Sequence, residues 1–347
     1  MKRKKVETVF FFFDKLSEFN RKLFEEDDNH WINYFNSQFA GEEIKSSENP
    51  NISPGKGQYY LVECNFLNSN DGVLNFTNIS NTLFLHNRCL FNNCTSEEDG
   101  SCIYYKPFRN SSIVQRKFCC TKCQSSKRGQ FSYTEIGRND LNLNFFVESS
   151  LFDVGNESDG DSVIYAYYGN ILVSSTNFSS CKAIDASVGW FYGKEDINKT
   201  YNYSTFVDSK VTDVEVVIIG IYYNTLIDSC NIINNTISTL GVIFHSYEYI
   251  TIKSCSFINN IGPEESFLIH NIQDKLTVDN CYIDDSIPKT FFWGVEPKNT
   301  RQLFTNSLSH LSTGDCQAYF VIFDKSIDID NKFPLIFIAL VNNKNSY

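Results

Sequence analysis

A chain of 347 residues with 42% hydrophobic and 20% charged residues carries enough apolar side chain for a large core, which excludes a wholly disordered polymer. Its 31 Phe and 19 Tyr against one Met and seven Pro favour strands over helices. A net charge of −11 and a pI near 5.0 leave no basic face for phosphate, so no nucleic-acid partner is expected; the run Lys2-Arg3-Lys4-Lys5 is too short to change that.

At the N-terminus the basic run is followed by an apolar stretch, residues 9–13, that Asp14 ends. A secretory apolar region needs about 7–15 residues, so no signal peptide is expected. Residues 1–48 are charged and aromatic, and Phe13, Leu16, Phe19, Asn20 and Leu23 approximate one helical face. They predict a partly helical N-terminal cap, because the terminal coil of a repeat stack needs a cover.

From residue 49 to 300 the chain repeats. Cys64 opens "CNFLNSN", Cys230 "CNIINN", Cys255 "CSFINN" and Cys281 "CYIDDS". Weaker copies are anchored at Cys89, Arg116, Ser150, Thr176 and Ser204, giving spacings of 25, 27, 34, 26, 28, 26, 25 and 26. Two residues after the anchors stand Phe66, Phe91, Phe118, Phe152, Phe178, Phe206, Ile232, Phe257 and Ile283. Three residues before them stand Leu61, His86, Ile113, Val147, Val173, Tyr201, Ile227, Ile252 and Val278, where only His86 is polar. Apolar alternation at period two predicts short strands, and a second apolar stretch follows many anchors, as in Val163-Ile164-Tyr165 and Val242-Ile243-Phe244. Such coils bury their apolar faces only by stacking. The expected fold is all-β: a right-handed parallel β-helix, or solenoid, of about nine coils, on the order of 40 Å long at ~4.8 Å per coil. Asn and Asp at 68, 92, 93, 153, 208, 234, 259 and 284 suit its turns. Residues 301–347 lose the repeat and are expected to form a C-terminal cap. The longest later apolar runs, 216–223 and 335–341, are far shorter than the ~20 residues of a membrane span, so none is expected.

These repeats resemble the degenerate repeats of right-handed parallel β-helix proteins of the pectate-lyase-like superfamily. More narrowly, they resemble polymorphic-outer-membrane-type repeat proteins expanded in parasitic protists. The resemblance covers roughly residues 58–300 and implies a fold more than an activity, since the scaffold hosts lyases, hydrolases, adhesins and spacers.

Chemistry-bearing residues are few. Cys64, Cys89, Cys230, Cys255 and Cys281 fall in the inward column and read as small buried hydrophobes. Cys120 and Cys123 form a CxxC, beside Cys119 and downstream of Cys94 and Cys102; this is a zinc or redox candidate that needs a second pair. His245 and His270 each follow their anchors by 15 residues and should stack, with Glu296 in the next coil, as a second metal candidate. The simpler alternative is that these three only end strands. Asp228, Lys253 and Asp279 alternate in sign two residues before their anchors, with Glu148 in the same column, as a solvated sheet face prefers. Asp153, Glu157, Asp159 and Asp161 read as an acidic turn. No catalytic set, no resident metal and no cofactor is therefore expected. Ten Asn-x-Ser/Thr sequons, at Asn51, Asn75, Asn78, Asn93, Asn110, Asn156, Asn177, Asn198, Asn202 and Asn234, are a mild excess over the roughly six that this Asn- and Ser-rich composition gives by chance, and a cell surface or secretory compartment is the expected location. The expected function is non-enzymatic: a lateral face binding a protein or glycan, as in cell-surface adhesion. The alternatives are a carbohydrate-active enzyme, either polysaccharide lyase or glycoside hydrolase, and a truncated family member without present function.

Overall fold

The computed structural model describes residues 30–52, 55, 57–108, 110–193, 199–212, 217–222, 224–237, 242–246, 249–262, 269–271, 276–284, 298–316, 320–322 and 337–339. The chain divides into two units, residues 1–40 and 41–347. Among the described residues of the first, a short helix, α1 (His30–Phe35), packs Trp31 against Phe35 and Phe39 at ring distances of 4.4 and 4.7 Å. The residues expected to form a helical face, Phe13 to Leu23, lie outside the described residues.

The second unit is a parallel β-solenoid. Three sheets of ten, nine and eight strands, here A, B and C, run along its length, and every pair within them is parallel. Sheet A starts at Glu42–Lys45, inside the segment expected as the N-terminal cap, and ends at Leu276–Asp279. Sheet B runs from Asn65–Leu67 to Tyr282–Ile283, and sheet C from Leu74–Thr77 to Ile269–Asn271. Each coil thus contributes one short strand to each face, and the count of about nine coils corresponds to sheet B.

Why the chain turns between A and B is visible in the backbone. Glu63, Arg88, Lys117, Glu148, Ser175, Tyr203, Ser229, Ser254 and Asn280 form one left-handed column there. Asn68, Asn93, Lys122, Asp153, Ser180, Asp208, Asn234 and Asn259 form a second after sheet B. Asn and Asp tolerate this region best, which is the physical reason for the Asn/Asp positions in the repeat. Asn93 also donates to the Asn68 side chain at 2.7 Å.

The residue after the first bend is small and inward for a reason of hydrogen bonding. Its backbone N–H is served by the side chain of the equivalent residue one coil on: Cys230 by Cys255 and Cys255 by Cys281 (both 3.4 Å), Thr176 by Ser204 (3.2 Å), Phe118 by Ser149 (3.1 Å). A thiol or hydroxyl can accept there and still fit beside the rings, so buried Cys, Ser and Thr recur. The ring ladder itself stacks: Phe66 on Phe91 at 4.9 Å, and Phe178 on Phe206 at 5.3 Å.

Two anchors were placed wrongly by sequence. Strand register aligns Cys119 with Leu90 and Ser150, so the anchors are Phe118 and Ser149, not Arg116 and Ser150. The inward ladder holds Cys120 and Leu151 where Phe118 and Phe152 were expected. Likewise Gln115 and Phe146, not Ile113 and Val147, align with His86. His86 is therefore not a lone polar intruder. Its Nε2 meets Gln115 Oε1 at 3.3 Å, and Gln115 donates to Ser132 Oγ at 3.2 Å, all fully buried. Glu148 leaves the expected charge column for the left-handed one, where it pairs with Arg116 at 2.8 Å. Asp228, Lys253 and Asp279 do align.

Residues 301–316, expected to begin the C-terminal cap, run back along the outer side of sheet B as a strap. Ser256 Oγ donates to Phe304 O at 2.8 Å, and the Asn231 side chain donates to Asn306 O and accepts from Asn306 N–H, each at 2.9 Å. His310 bridges Thr205 Oγ1 (2.7 Å) and Ser175 O (3.2 Å), and Ser150 Oγ donates to Leu311 O at 2.6 Å. The strap ends in a disulfide between Cys316 and Cys119, 197 residues apart in sequence. It accounts for the burial of outward polar side chains at Ser150, Thr205, Asn231 and Ser256.

Candidate functional site

With sheet B strapped over, sheet C shows what a partner could meet. In register along its outer face stand Asn75, Tyr104, Tyr133, Tyr165 and Trp190, and the backbone register continues through Gly220, His245 and His270. Two residues further along the strands, Tyr167, Tyr192 and Tyr222 align. Parallel in-register pairing places like residues ~4.8 Å apart, which is near ring-stacking distance. Tyr104 stacks on Tyr133 at 5.1 Å, Tyr133 on Tyr165 at 5.5 Å, and Tyr167 on Tyr192 at 4.4 Å. Tyr133, Tyr165 and Trp190 are nearly covered, while Tyr104, Tyr167 and Tyr192 are half-buried at the edges.

Charge is fixed on this stripe. The Arg128 guanidinium lies 5.1 Å from the Tyr133 ring and 5.3 Å from Tyr165, held by Asp99 at 2.8 Å. Burial raises the Asp161 carboxyl above its ordinary value, against the pull of Arg128. Burial also raises the Tyr133 phenol, and its bond to Glu135 (2.9 Å) raises it further, so it stays protonated at physiological pH.

Beside the stripe opens a cleft of about 560 Å³, lined by Thr77, Asn78, Tyr104, Lys106, Phe108, Glu135, Arg138 and Tyr168 among others. Lys106 pairs with Glu135 at 2.7 Å, Arg138 covers the Tyr168 ring at 4.4 Å, and Phe108 is 67% exposed. Glu135 is its only carboxylate among the described residues. An unsatisfied apolar ring beside donors and one acceptor suits an amphipathic ligand such as a sugar or a peptide side chain.

The metal candidates divide. Register pairs His245 with His270 on adjacent coils, as their spacing predicts; Glu296 lies outside the described residues. Cys120 and Cys123 are buried and come together with Cys94 and Cys102. The ligand atoms of Cys94, Cys102 and Cys123 all lie within 4.8 Å of one another, and Cys120 contacts Cys102 and Cys123. Burial raises the Cys123 thiol, but contacts from Cys102, Cys120 and Cys94 outweigh it and hold it well below the ordinary thiol value. Burial pushes Cys102 well up. The anchor cysteines are buried thiols in the small column, as expected, and none of them is disulfide-bonded.

The acidic turn is ion-paired: Glu157 meets Lys210 at 2.6 Å and Lys182 at 3.9 Å, and Asp153 meets Lys182 at 3.7 Å. Among the sequons, Asn51, Asn75, Asn78, Asn93 and Asn110 are exposed, whereas Asn177 is buried and Asn198 lies outside the described residues. Sequence reasoning missed Cys316, Arg128 and the tyrosine register. The Cys119-Cys120 doublet was the available signal for the first, because neighbours on a strand face opposite ways.

Among the described residues no helix is long and apolar enough to cross a membrane. No family profile, no curated protein and no solved structure matches the chain.

Proposed function

We propose that this chain is a non-catalytic recognition solenoid whose sheet C face, with the adjoining cleft, binds a protein or glycan, as a cell-surface or secreted adhesin would. The observation that carries the reading is the half-buried edge of the aromatic stripe, Tyr104, Tyr167 and Tyr192, beside a cleft that exposes Phe108 and is flanked by Arg128 and Arg138. Rigid tyrosines give large contact area at small entropy cost. The disulfide and the exposed sequons support an oxidising compartment. The repeat pattern supports kinship with the pectate-lyase-like superfamily and polymorphic-outer-membrane-type proteins as part of the same proposal. Binding of the purified chain to arrays of glycans and of extracellular proteins tests it, and saturable binding to neither would sink it.

A second reading, a carbohydrate-active enzyme, rests on a separate group. Asp99 and Asp161 sit about Arg128 beside Tyr133 and Tyr165, and a carboxyl raised by burial is what a general acid needs. Release of reducing ends from polysaccharides, lost in Asp161→Asn, would replace the first reading with this one.

A further inference from the structure

The four converging thiols occur where two coils break the ladder rule. Cys120 takes the place that Phe91 holds one coil earlier, aligned strand to strand. One residue before the registered pair Ile103 and Ser132 stand Cys102 and Phe131, so Cys102 replaces a ring as well. Cys94 and Cys123 follow the registered pair Asn92 and Thr121 by two residues, which stacks them at the corner after sheet B. Two ring positions and two corner positions therefore bring four buried thiols together, Cys94, Cys102 and Cys123 mutually within 4.8 Å and Cys120 against Cys102 and Cys123. Chance burial of small hydrophobes does not require convergence; Cys181, for one, sits alone in the same corner column.

We propose that Cys94, Cys102, Cys120 and Cys123 form a tetrathiolate site for one zinc ion inside the solenoid. Tetrahedral zinc with bonds of about 2.3 Å holds its sulfurs about 3.8 Å apart. The sulfurs of Cys94, Cys102 and Cys123, already within 4.8 Å of one another, need to close by only about 1 Å, and Cys120, in contact with Cys102 and Cys123, supplies the fourth ligand. Zinc is the fitting occupant because an all-sulfur set with no carboxylate or open position selects a thiophilic ion in a closed structural site. Binding forms four Zn–S bonds to four thiolates, each thiol that is still protonated giving its proton to solvent, with no redox change. The ion would pin two adjacent coils beneath the strap's disulfide, at the point where the aromatic ladder is weakest. The Cys119 side chain faces outward and takes no part.

The test uses the full chain, purified anaerobically and titrated with Co²⁺ and then Zn²⁺. One equivalent of Co²⁺ should give thiolate charge-transfer absorption and strong tetrahedral bands, which one equivalent of Zn²⁺ abolishes. The pair Cys102→Ser/Cys123→Ser should lose the bands, and the pair Cys230→Ser/Cys255→Ser, in another stacked set, should keep them. Circular dichroism checks that each variant is folded. If the folded parent binds less than about 0.1 equivalent, or if peptide mapping finds Cys94–Cys123 or Cys102–Cys120 disulfides in the native protein, the proposal is overturned.

Discussion

Breaking the strap's covalent tie is the perturbation with the largest expected consequence. The Cys119–Cys316 bond closes a loop 197 residues apart in sequence. On the chain-entropy relation such a loop removes about 5 kcal/mol of unfolded-state freedom at 25 °C, near the top of the range for disulfides. The strap's side-chain hydrogen bonds, at Ser256, Asn231, Thr205 and Ser150, contribute about 0.5–1.5 kcal/mol each. Holding residues 301–316 in one conformation costs roughly 1–2 kcal/mol per residue in backbone entropy. Four bonds do not offset that alone, so without the disulfide the strap should detach before the solenoid unfolds. The double variant Cys119→Ser/Cys316→Ser should thus show two effects. Its urea midpoint falls by an amount equivalent to several kcal/mol, and chymotrypsin cleaves at Phe304 and Leu308 under conditions where the parent is protected. Unchanged protection together with an unchanged midpoint would refute the reasoning, and would mean that packing of the strap suffices without the bond.

Phe178 is fully buried and stacked on Phe206, so Phe178→Ala should cost about 3–5 kcal/mol in urea unfolding, whereas Tyr203→Ala, at an exposed bend, should cost under about 1 kcal/mol. Acid should destabilise the fold through two histidines. Burial lowers His86 to about 3 and His310 to about 4, so the unfolded chain binds their protons first. Stability is then full above pH 6.5 and declines as pH falls toward those values, by about 2 kcal/mol per histidine at pH 5. His310→Gln should flatten the urea midpoint against pH between 7 and 5, and an equally steep profile would count against its burial as the cause. Expressed in a glycosylating host, the chain should carry sugar at some of Asn51, Asn75, Asn78, Asn93 and Asn110 and none at buried Asn177, as read by glycopeptide mass spectrometry.

The repeat was legible because each coil must return a large inward residue and a small acceptor at the same place. That requirement wrote Cys-x-Phe or Cys-x-Ile at Cys64, Cys230, Cys255 and Cys281. It failed to locate two coils because Cys120 and Leu151 carry the inward position there, while Phe118 and Phe152 offered rings two residues and one residue away. The misplacement hid Gln115, the partner that makes buried His86 tolerable. The aromatic stripe was only partly legible. Tyr104 and Tyr133 stand on the outer side of strands whose spacing varies with loop length, and their alignment emerges only from pairing. The strap has no period at all. Its bonds come from single residues such as Asn306 and His310, which meet a column already written by the coils. Cys120 and Cys123 were visible as a pair, but Cys94 and Cys102 join them only because adjacent coils stack.

The most direct test of the functional account compares faces on the ligand that the arrays identify. Tyr104→Ala with Tyr168→Ala alters sheet C and its cleft, and Tyr60→Ala with Thr251→Ala alters the outer side of sheet A. The account predicts that the first pair weakens binding by at least about tenfold, roughly 1.4 kcal/mol, and that the second leaves it within about twofold. Loss of binding in the sheet A pair with the sheet C pair intact would contradict it.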